Sequence, residues 1–249
     1  MRLITNENLI KRNSFIGRTA SLAGLVILLG GLVISIIAPP GGKTNISIAP
    51  LAALVSRPEF QYLPLVTLLV GFLLSQVGIL FSNRWVRPPR PDEALDAALK
   101  GLDDRHVLYH YRLHASHVLV APSGVYVLLP KRQGGEITFA NGRWRQTGHN
   151  RFLAFFGQEG LGNPAAELEA EVRLLEKFLE KKLPDSAIPV KGMIVFTDIG
   201  ATVHADAAPV PTLHTKKVKE YIRRQPKAPT LTPNLLTQLD EEIGVAASA

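Results

Sequence analysis

Ser116-His117-Val118-Leu119-Val120-Ala121-Pro122-Ser123-Gly124-Val125-Tyr126-Val127-Leu128-Leu129-Pro130-Lys131 is the stretch on which the fold turns. Two short apolar runs flank Pro122-Ser123-Gly124, a turn signal, and so read as strand, turn, strand. Upstream, Val107 to Leu113 alternates loosely and reads as a further strand. Downstream, Ile137–Phe139 and Arg143–Arg145 flank Asn141-Gly142, the strongest short hairpin signal. Asn163-Pro164 then supplies an N-cap and first helical residue. Leu168, Val172, Leu175, Leu179 and Leu183 follow at helical spacing. Glu167, Glu169 and Glu171 lead this helix and Lys181 and Lys182 close it, matching the helix dipole and reading as a solvated face. Val190–Phe196 reads as a buried strand, with shorter ones at Val203 and Val210–Leu213. A basic helix from Thr215 to Arg224, a Pro-rich link and a last helix from about Pro233 complete the order.

The N-terminal third has a different composition. No charged residue occurs from Ala20 to Ala38, nor from Phe60 to Asn83. Each window approaches the roughly 20 apolar residues needed to cross a hydrocarbon core about 30 Å thick. Neither keeps the polar stripe of a helix buried in a soluble core. A cleavable signal peptide would have an apolar run of only ~7–15 residues and a small-x-small site. Here the first run is longer and leads into Pro39-Pro40, and a second run follows. The expectation is two transmembrane helices, about 20–38 and 62–82 within residues 19–83, after a cytoplasmic basic arm at 1–18.

Lys and Arg near the spans set orientation. Arg2, Lys11, Arg12 and Arg18 precede the first span, and Arg84, Arg87 and Arg90 follow the second. The loop between them holds only Lys43 and Arg57, so both termini are expected in the cytoplasm of a two-span protein of the cell membrane. Small residues at packing distance, Ala20 with Gly24 and Gly71 with Ser75, suit a hairpin that packs on itself. Residues 84–92 form a Pro-rich linker, 93–225 the α/β domain, and 226–249 a C-terminal linker and helix.

The net charge of +7 is not a nucleic-acid signal, because much of it flanks the spans. From Arg84 onward there are 22 Lys and Arg against 19 Asp and Glu, only +3. The absence of cysteine excludes disulfides, thiolate metal sites and thiol catalysis.

This order of elements resembles the NERD family, the nuclease-related domain with a restriction-endonuclease-like core. Ser116 to Val127 resembles the family's strand–turn–strand, D-H-hydrophobics-x-P-x-G-hydrophobics, and Lys131 stands at the lysine of its E-x-K. Glu136-Ile137 with Trp144, Asn163-Pro164, and Lys191 to Phe196 resemble its next hairpin, long helix and following strand. The likeness runs from about Glu93 to Arg224. Together with the two spans it gives the expected fold: a two-helix transmembrane hairpin followed by an α/β restriction-endonuclease-like domain, a mixed central sheet flanked by helices.

The resemblance also implies a chemistry: carboxylates and a lysine around one Mg²⁺, which activates water and stabilises charge on phosphate. The matching positions here depart from it. The family aspartate falls on Ser116 and the glutamate of E-x-K on Leu129; Lys131 matches, and Glu93 stands at a helix glutamate of the family. Serine brings no charge and leucine no ligand. The expectation is a catalytically inactive domain acting as a binding or scaffold module at the cytoplasmic membrane face, with no cofactor. The first alternative is a Mg²⁺-dependent nuclease with relocated carboxylates, for which Glu136, Asp103 and Asp104 are candidates; the second is a structural subunit of a membrane complex. Carboxylates reaching Lys131 would favour the nuclease, and apolar packing of Leu129 beside Ser116 the inactive domain.

Three further groups bear on partners. Lys216, Lys217, Lys219, Arg223 and Arg224 form a basic helix able to meet nucleic acid or anionic lipid, although a solvated helix is the commoner reading of such a run. Arg143-Trp144-Arg145 offers a small binding face or a cation–aromatic contact. In the run His106, His110, His114 and His117, the first three would share one helix face and could bind a metal, but in a strand they lie about 13 Å apart at successive positions. Polar strand-face histidines are therefore expected, and no metal site. Membrane lipid is the expected partner, with nucleic acid or a protein partner beside it.

Overall fold

A computed structural model of the chain describes residues 1–37, 62–148, 160–184, 188–226, 235, 237–239 and 241. The chain forms two units: Met1–Leu9 with Pro88–Ala249, and Ile10–Arg87. The loop with Lys43 and Arg57, the Pro39-Pro40 pair and the start of the last helix at Pro233 lie outside the described residues.

Two long helices carry the second unit, α1 (Glu7–Ile37) and α2 (Leu63–Trp85). Both are long and apolar enough to cross a membrane. α1 starts well before residue 20 because Asn6 caps it, accepting the Leu9 N–H at 3.1 Å, so its first turns carry Lys11, Arg12 and Arg18. Pro64 sits in the first turn of α2, where its missing N–H costs little. The two helices touch through glycines. A Cβ on Gly24 would lie 2.5 Å from Ser75 Oγ, and one on Gly78 would lie 2.4 Å from Ser21 Oγ. The small faces at Gly24 and Ser75 are thus used inside the hairpin, as expected.

The first unit is a mixed α/β fold. Its strands are β1 (Arg2–Thr5), β2 (Val107–His110), β3 (His117–Ala121), β4 (Gly124–Lys131), β5 (Gly135–Ala140), β6 (Arg143–Thr147), β7 (Val190–Phe196), β8 (Ala201–His204) and β9 (Thr212–His214). Its helices are α3 (Pro91–Leu99), α4 (Pro164–Lys182) and α5 (Thr215–Arg224). Six strands form one sheet in the order β1-β2-β3-β4-β7-β9, and three form another, β6-β5-β8. In the large sheet β2-β3-β4 is an antiparallel meander, while β1, β7 and β9 pair in parallel with β2, β4 and β7.

Part of the region read as a basic arm is therefore an edge strand: residues Arg2 to Thr5 pair with Val107 to His110. The strand expected over 107–113 stops at His110, because Tyr111 turns the chain with φ 57°. Asn141 and Gly142, both at positive φ, make the anticipated hairpin turn. Asp92 lies inside the first turn of α3. Pro91 opens the helix, and Glu93 returns to accept the Arg90 N–H at 2.8 Å.

Both faces of the large sheet are covered, which is why β3 and β4 read as continuous apolar runs rather than alternating ones. On one face Val118, Val120, Val125, Val127, Ile194 and Phe196 pack with Leu168, Leu175 and Leu179 of α4. On the other, Leu119, Tyr126, Leu128 and Met193 pack with Leu95 and Leu99 of α3 and Val218 and Ile222 of α5. A Cβ on Gly192 would meet Leu168 at 2.8 Å, so glycine lets α4 close onto β7.

Candidate functional site

The pleat of β4 sends Val125, Val127, Leu129 and Lys131 to the α4 face. Lys131 is buried, and its Nζ donates to Glu167 Oε2 at 2.6 Å. Ser116, just before β3, uses both its donors on Glu171: N–H to Oε2 and Oγ–H to Oε1, each 3.1 Å. Glu167 and Glu171 are one turn apart on α4 and so share a face. The helix brings a carboxylate to Lys131 and to Ser116. Leu129 is 8% exposed and belongs to the apolar core.

Of the two features that would separate nuclease from inactive domain, both occur: a carboxylate reaches Lys131, and Leu129 is packed among apolar side chains. The carboxylate is none of those expected. Glu136 lies on β5 of the small sheet and accepts from Thr147 Oγ at 3.2 Å. Asp103 is bound by Arg105 and His106, and the Arg105 guanidinium holds its carboxyl well below the usual range. Asp104 is fully exposed. Glu93 is on α3, the helix of the opposite sheet face, and pairs with Arg90 at 3.1 Å. The reading of this helix's charges as a solvated face is corrected for Glu167 and Glu171, which Lys131 and Ser116 engage; Glu169, paired with Arg173, and exposed Lys181 and Lys182 fit it. For Glu171 the signal was present, since it falls on the apolar stripe of α4 between Leu168 and Leu175.

Mg²⁺ needs anionic oxygen ligands free to face it. Here Ser116 is neutral, Leu129 has no donor, Glu171 accepts two hydrogen bonds from Ser116, and Glu167 neutralises Lys131. Among the described residues no three His, Asp or Glu side chains are grouped to hold a metal. The site as built does not fit the family's ion.

The basic helix has internal duties. Lys219 Nζ donates to Lys100 O at 3.1 Å and Arg223 to Gly101 O at 2.7 Å, satisfying carbonyls at the end of α3. Arg224 pairs with Glu220, while Lys216 and Lys217 are exposed. At the hairpin, Trp144 packs on Phe139 with ring centroids 4.9 Å apart. Arg143 and Arg145 are exposed on β6.

The histidines depart from the single-strand expectation. His110 and His117 face each other across β2 and β3, with their Nδ1 atoms 2.7 Å apart. His110 Nε2 lies 2.9 Å from Asp96 Oδ1. Pairing between two strands, invisible to spacing along one, brought them together.

Neither curated proteins nor solved structures returned a match to this chain. Residues 92–197, the segment from α3 through β7 that holds Ser116, Leu129, Lys131, Glu167 and Glu171, match the family model described as nuclease-related domain, so the α/β unit of this chain carries a NERD domain.

Proposed function

We propose that this chain is a membrane-anchored NERD-domain protein without nuclease activity, serving as a binding or scaffold module at the cytoplasmic face. The observation that carries this reading is the closed state of the motif positions. Lys131 and Ser116 are already engaged by Glu167 and Glu171, and Leu129 fills the remaining position with hydrocarbon. A phosphate or metal would have to break these contacts before binding.

Membrane anchoring is supported by α1 and α2, and by a constraint from the sheet. β1 and β2 hydrogen bond in one folded unit, the Arg2 N–H donating to His106 O at 2.9 Å. The chain before α1 and the chain after α2 therefore share a compartment, which an even number of crossings allows. The Lys and Arg flanking the spans favour the cytoplasm. Exposed Lys216 and Lys217, with Arg143 and Arg145 of β6, offer cationic contacts for anionic lipid or nucleic acid.

One observation favours a second reading, a nuclease with relocated carboxylates: Glu167 reaches Lys131 from α4. The full chain in mild detergent, incubated with supercoiled and single-stranded DNA and Mg²⁺ or Mn²⁺, tests both. The expected result is no cleavage in either metal. Cleavage that is lost in both Lys131→Ala and Glu167→Gln would replace the first reading with the second. For a structural subunit of a membrane complex, the third class, the sign would be stoichiometric partners retained in the same detergent.

A further inference from the structure

Gln76 is a polar group that the helical hairpin leaves unused. α2 meets α1 through Gly71 and Gly78, where a Cβ would strike Leu28 and Ser21. At 3.6 residues per turn, Gln76 stands about 140° around α2 from Gly71, on the side turned away from α1. Arg84 lies about 12 Å further along the axis, and the helix start at Leu63 about 20 Å the other way. In the membrane-spanning reading of α2, on which this inference rests, the carboxamide is therefore inside the hydrocarbon core. Its side chain is too short to reach either interface.

Neighbouring hydroxyls are satisfied inside the hairpin. Thr19 Oγ1–H donates to Phe15 O at 2.8 Å, Thr67 Oγ1–H to Leu63 O at 2.9 Å, and Ser75 Oγ–H to Gly71 O at 2.8 Å. Gln76 is different. It is half-buried, and among the described residues its side chain has no hydrogen-bond partner. A carboxamide brings two N–H donors and an acceptor oxygen. The backbone N–H groups around it are already committed to the helix, so Oε1 needs a donor from outside. Lipid chains supply none, and an amide left unpaired in hydrocarbon carries its desolvation cost in full.

The rest of that face decides what can supply the donor. Val66, Leu69, Leu73 and Leu80 are exposed and recur with Gln76 at alternating spacings of three and four, the seam of a left-handed helix pair. Leucines alone call for no protein partner, because lipid tails are as apolar as they are. Exposed Leu22, Leu25, Leu29 and Leu32 of α1 form such a face without an amide. A single amide in an apolar seam is what fixes register and strand number in coiled coils. Copies of one chain cross the membrane in the same direction. Two α2 helices thus meet in parallel about a two-fold axis along the membrane normal, with position 76 of one beside position 76 of the other. Two carboxamides at one depth satisfy each other, each donating an N–H to the other's Oε1. A different protein would need a polar group at that same depth, whereas a second copy has it by symmetry.

We propose that this chain self-associates in the membrane as a parallel dimer through the α2 face formed by Val66, Leu69, Leu73, Gln76 and Leu80, with Gln76 paired to its counterpart. The pair presents two NERD domains on one side of the membrane, which makes the binding module bivalent.

The full chain in phosphatidylcholine vesicles tests this in two stages. Flotation with the vesicles after an alkaline wash establishes insertion; protein removed by the wash would overturn the membrane reading and the dimer with it. In protein that stays, association is measured by fluorescence transfer between labelled copies across a range of protein-to-lipid ratios. Gln76→Leu keeps α2 apolar and is expected to weaken association about tenfold, and Gln76→Asn, which retains the carboxamide, to recover most of it. A wild type that stays monomeric at every ratio, or a Gln76→Leu variant that associates as tightly as the wild type, would overturn the proposal while leaving the membrane reading intact. The chain has no cysteine, so single cysteines report the face directly. Leu73→Cys and Leu80→Cys are expected to cross-link into dimers on oxidation, and Leu68→Cys, on another side of the helix, is not. Cross-linking at Leu68→Cys in preference to the other two would overturn the assigned face.

Discussion

Glu167→Ala isolates the contact that closes the motif positions. The Lys131 side chain is 10% exposed and that of Glu167 48%, so the ammonium is the desolvated partner. Removing one member of a fully buried pair costs about 3–5 kcal/mol, whereas an exposed pair contributes about 0–1 kcal/mol. With one partner buried and the other half in water, a loss of about 2 kcal/mol is expected. Hydrogen exchange at β4 amides in the full chain would register it as an opening constant raised about 30-fold. Lys131→Met in the same background removes the stranded charge, and the double variant should recover about 1 kcal/mol. If Glu167→Ala shifts β4 by less than about 0.5 kcal/mol, an ordinary surface effect, the contact is not what closes the site. A double variant no more stable than Glu167→Ala would likewise refute the stranded-cation argument.

Gly24→Leu should separate α1 from α2, since a Cβ there meets Ser75 Oγ at 2.5 Å, whereas Gly30→Leu meets nothing within 4 Å; thermal melts in detergent should show a loss only for the first. Lys219→Ala with Arg223→Ala should raise exchange at the end of α3 by about 1 kcal/mol per lost bond, and Lys216→Ala with Lys217→Ala should not. Burial raises the Tyr126 phenol above its ordinary value, against a smaller opposing hydrogen bond with Ser123. The folded state thus keeps a proton that the unfolded state releases near pH 10, and stability present below that pH falls as pH rises through it. In Tyr126→Phe the alkaline slope of the unfolding curve should flatten.

What the chain made legible followed from local pattern. β3 and β4 were readable because both their faces are buried, leaving uninterrupted apolar runs around Pro122-Ser123-Gly124. α4 was readable from its leucine spacing and from Asn163, whose side chain accepts the Ala166 N–H. β1 was not, because the strand with which Arg2 to Thr5 pair, Val107 to His110, lies more than a hundred positions further along the chain. The His110–His117 contact needed the register of a strand pair, and spacing along one strand pointed away from it. Glu167 was hidden for another reason: an acidic residue in the first turn is what the helix dipole favours. A position with one sufficient explanation gives no sign that it has a second.

That double duty bears on how a lysine can stay buried on β4 when the nearest strand positions carry no charge. A lysine left buried on β4 without its neighbouring carboxylates would carry a desolvation penalty of several kcal/mol. Such a chain has two routes, to lose the lysine or to find it a new anion. Here Glu167 supplies an anion from the helix, and Glu171 occupies the donors of Ser116. Glu167 gives Lys131 its charge balance from α4 rather than from β3 or β4. Leu129 sits in the strand position between, where its packing with the core would be lost if a ligand replaced it. Charge pairing and apolar filling thus act together: each keeps the sheet and α4 closed, and introducing a carboxylate at position 129 alone would place a second anion beside a lysine already neutralised.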